Sequence, residues 1–361
     1  MEQKESRVGM LDLMIQPAFT VKDGVIHQTN AAAGKYFLES GMPVADLLCT
    51  GKAEYGDLQD GCLYLSLFVA GMRVEASVRK MDGFDIFTLE QDADHAELQA
   101  MALAAQELRG PLSNVMSVAD RLFPVADQDD DPMVKAQVSQ INRGLFQMLR
   151  IIGNMSDAYR YSQQAETSMT VTNIPEFIGE IFQSSGQMLQ HGGVDLCFEN
   201  VHEAVFGLID QEMLERAIHN IISNAVKFSA KGKPIHARLS RRNNMLYLTV
   251  QDSGNGIDPE LRGTTHSRFR RQPGLEDSRF GIGLGMVMIR SAAAAHGGTV
   301  LLTHPDDGGT KLTMSIAINQ NTDTLVRSKT FHIDYAGERN HALTELSDVL
   351  PSELYETQNI N

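Results

Sequence analysis

Two apolar stripes between residues 93 and 165 are the most regular feature of the chain. In each, apolar residues recur at alternating intervals of three and four, which on an α-helix forms a narrow seam that must be buried against other helices. The first stripe comprises Leu98, Met101, Ala105, Leu108, Leu112, Val115, Ala119 and Leu122, and the second comprises Val134, Val138, Ile141, Leu145, Met148, Ile152 and Met155. The prolines and acidic residues of the segment 124–132 predict a solvated turn between them. We therefore predict an antiparallel helical hairpin.

A single hairpin buries such narrow stripes poorly. Two hairpins packed together would form a four-helix bundle that covers both seams, so a homodimer through the hairpin is predicted. The alternative is a monomeric helical bundle that uses other surfaces of the protein.

Residues 8–92 carry short apolar runs typical of β-strands. The dipeptide Asp23-Gly24 lies between two such runs and can supply the positive φ angles of a tight hairpin turn. Three further runs, at 62–69, 73–78 and 84–89, predict an antiparallel sheet. We expect a domain with two strands, a helical middle section and three more strands.

A third region, residues 170–318, holds polar and glycine-rich elements in a defined order. Asn220 and Asn224 lie one turn apart on a predicted helix, and Lys227 follows nearly one turn later. Amide oxygens can ligate Mg²⁺, and a lysine can meet phosphate charge. Taken alone, an asparagine pair is better explained as the polar face of a helix.

Two glycine turns follow that helix. A predicted strand ends at Asp252, whose carboxylate can accept from an adenine amino group, and the glycines after it let the backbone approach the ring closely. The run 281–285, Gly-Ile-Gly-Leu-Gly, leads into a helical stretch whose N-terminus offers free N–H groups to phosphate oxygens. A lone glycine motif is weak evidence, but three such elements within 66 residues predict a nucleotide site.

Charge, cysteine content and the length of apolar stretches limit the partners and the location expected for the protein. The 361 residues carry a formal net charge of −15, which argues against nucleic acid or an anionic membrane as the main partner, because both attract basic surfaces. The three cysteines are widely spaced and indicate neither a disulfide framework nor a thiolate metal site. No apolar stretch approaches the roughly 20 residues of a membrane span, and no signal-peptide region follows the N-terminus. We expect a cytoplasmic protein.

The nucleotide elements resemble those of the ATPase superfamily shared by histidine kinases, gyrase, the Hsp90 chaperone and MutL. Residues 220–229 resemble its N box, 252–257 its G1 box and 281–285 its G2 box, and 308–316 resembles the closing strand of the kinases. With the helical hairpin, the resemblance covers about residues 95–318 and fits the histidine-kinase branch best. The hairpin disfavours an ATP-clamp protein of the Hsp90 or MutL kind.

This resemblance implies a multidomain α+β protein whose α/β-sandwich ATPase domain, residues 170–318, binds ATP and Mg²⁺. By the same resemblance Asn224 would bind Mg²⁺ and Asp252 would hold adenine, while 258–280 would be a mobile, arginine-rich lid. The other residues that would contact the nucleotide are Asn220, Lys227, Phe228, Gly254, Gly256, Gly281, Gly283, Leu284 and Gly285.

The hairpin carries a run that resembles the phosphoacceptor box of sensor histidine kinases, His-Glu-Leu-Arg-x-Pro-Leu. Residues 106–112 read Gln-Glu-Leu-Arg-Gly-Pro-Leu. In the family the histidine attacks the γ-phosphate and the neighbouring acid, here Glu107, accepts its proton. Gln106 lies one step off the apolar seam and faces outward, where an acceptor belongs. Its carboxamide nitrogen has no basic lone pair, so it cannot act as that nucleophile.

Two other positions bear on phosphate chemistry. Gly110 stands where members that dephosphorylate their response regulators usually carry Thr or Asn. His95 lies about three turns before Gln106 on nearly the same helix face and is an alternative acceptor, although an exposed linker histidine explains it better.

The two ends of the chain complete the domain plan. Residues 8–92 resemble a PAS sensor domain, in their strand order and in the run 23–32, Asp-Gly-Val-Ile-His-Gln-Thr-Asn-Ala-Ala. Residues 93–165 form the dimerisation hairpin. Residues 319–361 form a polar extension with a short amphipathic stretch at 341–350, which could dock on the ATPase domain or a partner, or stay disordered.

Two hypotheses for function remain open. In the first, the protein is a PAS-linked kinase that binds Mg-ATP and transfers phosphate in trans, to a histidine of a partner protein or of a heterodimer subunit, or to an unusual acceptor such as His95. Its expected partner is a response regulator or a partner kinase. In the second, it is a pseudokinase whose ATP occupancy changes domain packing and is read by a partner.

Overall fold

The structure is a computed structural model that describes residues 11, 14–81, 83–90, 92–126, 131–162, 167–254, 256, 283–305, 308–319 and 340–360. The predicted lid, Gly281 and the side chain of His95 lie outside these residues.

An antiparallel sheet forms the N-terminal part of the fold. Its strands are β1 (Ala18–Lys22), β2 (Val25–Thr29), β3 (Cys62–Val69), β4 (Met72–Met81) and β5 (Phe84–Leu89), in the spatial order β2-β1-β5-β4-β3. Asp23 and Gly24 join β1 to β2 with φ angles of 52° and 78°, so the two-residue turn predicted from the sequence is confirmed. The three later strands also agree with the predicted runs.

Short helices cross one side of this sheet. They are a 3₁₀ segment (Ala31–Tyr36), α1 (Val44–Leu47) and α2 (Lys52–Asp57). Buried Asn30 begins the 3₁₀ segment, because its side-chain oxygen accepts from the backbone N–H groups of Ala18 and Ala33. The apolar side chains of helices and strands enclose one core between them.

Two long helices form the predicted hairpin. The first, α3 (Asp92–Ala126), contains Pro111 and continues two residues beyond Pro124, so the helix is slightly longer than the proline pattern predicted. The second, α4, spans Pro132–Ser162. Their shared core contains Ala105, Leu112, Met116, Ala119, Leu145 and Ile152.

The third region folds as helices packed on a mixed sheet. Its elements are β6 (Met169–Asn173), α5 (Ile174–His191), β7 (Leu196–Glu199), β8 (Phe206–Asp210), α6 (Gln211–Phe228), β9 (Ile235–Arg242), β10 (Met245–Gln251), α7 (Leu284–Ala295), β11 (Val300–Thr303) and β12 (Lys311–Ala317). The order β11-β12-β10-β9-β7 continues the N-terminal sheet, because β11 pairs with β3. One ten-stranded sheet therefore spans two regions that the sequence suggested were separate, while β6 and β8 pair apart from it.

The C-terminal extension docks on this assembly. It contains α8 (His341–Glu345), a 3₁₀ turn (Ser352–Tyr355) and α9 (Thr357–Ile360). The extension's apolar side chains join the main core, and its helices contact α4 and α6. These buried side chains are Leu343, Leu346, Leu350, Tyr355 and Ile360. Of the possibilities left open by the sequence, residues 340–360 adopt the docked one.

Within the described part of the chain, no helix is both long enough and apolar enough to cross a membrane.

Candidate functional site

Helix α6 supplies the first wall of the predicted nucleotide site. Asp210 caps its N-terminus by accepting from the backbone N–H of Met213 at 3.0 Å, and the helix runs unbroken to Phe228. Asn220 is buried, and its amide group donates to the carbonyl of Arg216 at 2.8 Å. Asn224, one turn later, is half-buried, and within the described residues its side chain has no hydrogen-bond partner. Of this pair, Asn224 therefore has the amide oxygen that remains available to a ligand.

Asp252 lies at the end of β10, as predicted, and is buried. Its Oδ1 accepts from the backbone N–H groups of Gly254 at 2.9 Å and Thr310 at 3.2 Å. Burial raises the pKa of Asp252, although these two hydrogen bonds oppose the shift. Both bonds fall on one oxygen, so Oδ2 is the atom that can accept a hydrogen bond from a ligand.

Close backbone contacts explain two of the glycines near Asp252. A Cβ on Gly254 would lie 1.9 Å from the carbonyl oxygen of Phe228, and one on Gly309 would lie 2.0 Å from the carbonyl oxygen of Asp252. Side chains at these positions would separate β10 from the end of α6 and from the loop before β12. The motifs of the sequence predicted a role for Gly254 at this site, but not for Gly309.

Helix α7 begins at the second glycine turn. Gly283 caps it with a φ of 81°, and a Cβ on Gly285 would lie 2.9 Å from Oδ1 of Asn220, so the turn packs directly on α6. Leu284 is the first residue of α7. Its side chain is buried with Leu98 and Ala158 of the hairpin, so only its backbone can face a nucleotide.

Lys227 forms an ion pair with the C-terminal extension. Its Nζ lies 2.6 Å from Oδ2 of Asp348 in the C-terminal extension, rather than facing an open phosphate site. Burial lowers the pKa of Lys227, an effect that the charge of Asp348 opposes. The same Asp348 oxygen lies 2.5 Å from Nη1 of Arg150 on α4, so one carboxylate joins the hairpin to α6.

A second carboxylate of the extension is buried beside the first. Glu345, 1% exposed, lies 3.1 Å from Nη2 of Arg216 on α6 and 3.8 Å from Nε of Arg150. Arg216 also pairs with Asp157 of α4. Burial works against the ionised form of Glu345, but the charges of Arg216, His341 and Arg150 outweigh it and lower the pKa of Glu345. The extension, the hairpin and α6 therefore share one buried charge network.

The sequence did not predict this network. The amphipathic stretch 341–350 was visible there, and its acidic residues were the only available signal. Acidic residues on a polar stretch ordinarily face water. Only the fold brings Arg150 and Arg216, 66 positions apart, against the same segment.

Gln106 faces outward beside the apolar seam of α3, as the spacing of the seam predicted. Gln106 and Glu107 are exposed on α3, next to the buried Ala105. Gly110 is exposed on the following turn, where an added Cβ would meet no atom of the described residues within 4 Å. The carboxamide of Gln106 and the carboxylate of Glu107 are therefore accessible from solvent on the outer face of α3.

Comparison with known proteins locates one family in the chain. Residues 209–320 match the family described as "Histidine kinase-, DNA gyrase B-, and HSP90-like ATPase". The chain is 26% identical over 247 residues to "Hybrid signal transduction histidine kinase D" of Dictyostelium discoideum, covering 66% of this chain and 16% of that protein. It is 25% identical over 235 residues to "Sensor histidine kinase YvrG" of Bacillus subtilis strain 168, covering 63% and 40%. The chain thus spans less than half the length of either relative.

A solved structure, the full-length ShkA protein in complex with AMPPNP, aligns with 61% of this chain and 46% of its own. The sequence identity is 18% and the TM-score is 0.48.

Proposed function

Because the chain carries a sensor-histidine-kinase-type ATPase domain, matched at residues 209–320, we propose that it is a signal transduction protein that binds Mg-ATP. The observation that carries the proposal is the buried Asp252, held by the N–H groups of Gly254 and Thr310 with one carboxylate oxygen left for adenine. The phosphates would lie between the N-terminus of α7 and the Asn224 face of α6. Gly256, Gly283, Gly285 and Phe228 would contact the nucleotide there.

Asn224 fits a role as the Mg²⁺ ligand. Its amide oxygen is a hard donor of the kind Mg²⁺ prefers, and no described side chain competes for it. The bound ion would neutralise phosphate charge. Both amide atoms of Asn220, in contrast, already have partners. Its nitrogen donates to the backbone carbonyl of Arg216, and its Oδ1 accepts from Nη2 of Arg150 at 3.4 Å, which links α6 to the hairpin.

The exchange Asp252→Asn tests nucleotide binding. Asparagine can keep the Oδ1 contacts to the two N–H groups but presents an amino group to adenine, so a charge-assisted hydrogen bond is lost. Such a bond is worth about 1.5–3 kcal/mol, and we expect ATP affinity to fall roughly 10–150-fold in calorimetry. Ser253→Ala, at the exposed neighbouring position, should bind as the wild type does. Equal ATP affinity in Asp252→Asn, or none in the wild type, would contradict the proposal.

We further propose that residues 93–165 dimerise. In the structure the first stripe divides in two: Ala105, Leu112 and Ala119 are buried, whereas Leu108, Val115 and Leu122 are exposed at intervals of seven residues. Exposed apolar residues with this spacing form the seam that a second hairpin would cover.

Val115→Glu should therefore convert a wild-type dimer into a monomer, since it places like charges on both sides of the seam. Sedimentation equilibrium measures the change, and we expect at least about tenfold weaker association. Phe68→Glu is the matched control, because Phe68 is exposed to a similar degree on β3. A wild-type protein that is monomeric at all concentrations would refute the dimer.

The domain plan follows from these assignments. Residues 8–92 are proposed as a PAS-like sensor, which the strand order β2-β1-β5-β4-β3 supports. Pairing of β3 with β11 gives this sensor a direct edge contact with the ATPase domain at 170–318. Residues 340–360 of the extension then join the ATPase domain to the hairpin.

Residue 106 is not the acceptor of any phosphoryl group that this protein transfers. Gln106 is exposed and correctly placed but is not a nucleophile. The acceptor is therefore a histidine elsewhere, in a partner kinase or at His95, and a response regulator is the expected downstream partner. The alternative is a pseudokinase, which the Lys227–Asp348 contact favours, because that contact lets ATP occupancy change how the extension is held.

The exchange Gln106→His tests whether the protein lacks only the phosphoacceptor or lacks kinase activity as well. With γ-labelled ATP we expect acid-labile phosphate on Gln106→His and none at this position in the wild type, because only imidazole can attack the γ-phosphate with Glu107 beside it. The double variant Gln106→His with Asp252→Asn is the control and should lose the label. Labelled wild type would point to His95. Unlabelled Gln106→His that still binds ATP would favour the pseudokinase.

A further inference from the structure

The C-terminal extension adds a third polar side chain to a pair on α6. Glu215 and His219 lie four residues apart on one face of the helix, and His341 begins α8. One ligand atom from each residue lies within 4.8 Å of the other two. Nδ1 of His341 is 3.1 Å from Oε1 of Glu215, and the two imidazole rings are 6.1 Å apart between centroids.

His219 is the unexplained member of this group. It is 1% exposed, and neither ring nitrogen has a hydrogen-bond partner in the described part of the chain. A buried polar group without a partner is destabilising, and an absent ion is one of its ordinary explanations. The equally buried His296 shows the contrast: its Nε2 accepts from the N–H of Asp210 at 3.0 Å, and its Nδ1 lies 2.7 Å from the carbonyl of Ala292.

The electrostatics suit a cation at this point. The carboxylates of Glu215 and Glu345 place negative charge around both rings. They act more strongly on His219 than the charge of Arg150 does, and more strongly on His341 than the charge of Arg216 does.

We propose that Glu215, His219 and His341 bind a divalent cation of the zinc class and thereby fasten the C-terminal extension to α6. Two imidazoles and a carboxylate form a ligand set that Zn²⁺ favours over Mg²⁺ or Ca²⁺. Zn²⁺ bonds of about 2.0–2.2 Å separate tetrahedral ligand atoms by roughly 3.4 Å, which small side-chain rotations can reach. Glu215 and His341 are partly exposed, so water can enter and complete the fourth position.

The cation connects this site with the nucleotide site. Because one ligand belongs to the extension, metal binding stabilises the docked state by linkage. In that state Asp348, seven residues after His341, holds Lys227. Zinc should therefore weaken ATP binding. This consequence rests on the proposed function, whereas the metal site does not.

Titration of the tag-free, metal-stripped full chain with Zn²⁺ tests the site. We expect one ion per chain by calorimetry, a tetrahedral visible spectrum with Co²⁺, and slower hydrogen exchange in residues 340–360 with Zn²⁺. His219→Gln and His341→Phe should each lose more than about 100-fold in affinity, beyond the loss typical of a residue that only orients a ligand. His236→Ala, which removes an exposed histidine on β9, should bind as the wild type does.

The possible results distinguish the metal site, its link with the nucleotide and the proposed function. The site is overturned if the wild type binds no Zn²⁺ or if His341→Phe binds Zn²⁺ equally well. If His219→Gln fails to fold, His341→Phe decides alone, because phenylalanine keeps an aromatic ring at this partly exposed position. Zinc binding that leaves ATP affinity unchanged overturns the link with the nucleotide. A protein that binds Zn²⁺ but never ATP overturns the proposed function and leaves the metal site standing.

Discussion

Glu345→Ala is expected to release the C-terminal extension from the ATPase domain. Removing one partner of a buried ion pair leaves an uncompensated charge and costs about 3–5 kcal/mol. Arg216 keeps Asp157 and Arg150 keeps Asp348, so we expect the lower end, about 3 kcal/mol. Hydrogen exchange in residues 340–360 should then be faster by roughly 100-fold.

The matched control is Glu353→Ala, which removes an exposed glutamate from the same extension. It should leave exchange unchanged. Release of the extension also frees Lys227 from Asp348, so Glu345→Ala should bind ATP more tightly than the wild type. Wild-type exchange rates in Glu345→Ala would show that the charge network does not hold the extension.

Gly309→Ala is expected to disable the nucleotide site. Both Gly308 and Gly309 have positive φ angles, of 94° and 82°, so alanine carries a similar conformational penalty of about 1–2 kcal/mol at either position. They differ in what the added Cβ meets. At Gly309 it would lie 2.0 Å from the carbonyl oxygen of Asp252, whereas at Gly308 the nearest atom of the described residues is 3.8 Å away.

Gly309→Ala must therefore displace Asp252, and we expect ATP affinity to fall at least about tenfold through loss of its charge-assisted hydrogen bond. Gly308→Ala should lose a little stability and keep its ATP affinity. Thermal melting and calorimetry on both variants measure the two effects. Equal ATP affinity in the pair would mean that the contact with Asp252 does not shape the site.

Local periodicity predicted much of the secondary structure. The 3.5-residue stripes located both hairpin helices, and the Asp23-Gly24 turn and the alternating runs located β1 to β5. These features depend on neighbouring residues in the chain, which is why they can be found without a structure. The bounds were predicted less well, since α3 continues two residues past Pro124.

Local motifs predicted some contacts of the candidate site but not those with distant segments. Asp252 and Gly254 lie together as their motif implied, because both belong to one short loop. The contacts of Leu284 and Lys227 could not be predicted, since their partners are distant: Leu284 packs with Leu98 and Ala158, and Lys227 pairs with Asp348. A motif specifies which residues are close in sequence and carries no information on which distant segment covers them.

The sequence by itself determined the helical seams, the strands, the order of the nucleotide elements and the absence of a nucleophile at Gln106. Each of these is written in residue type and spacing. Tertiary structure alone decided that β3 joins β11, that residues 340–360 dock, and that Glu215, His219 and His341 meet. These depend on long-range burial, where the free energy of excluding apolar surface from water brings together charges that no local pattern relates.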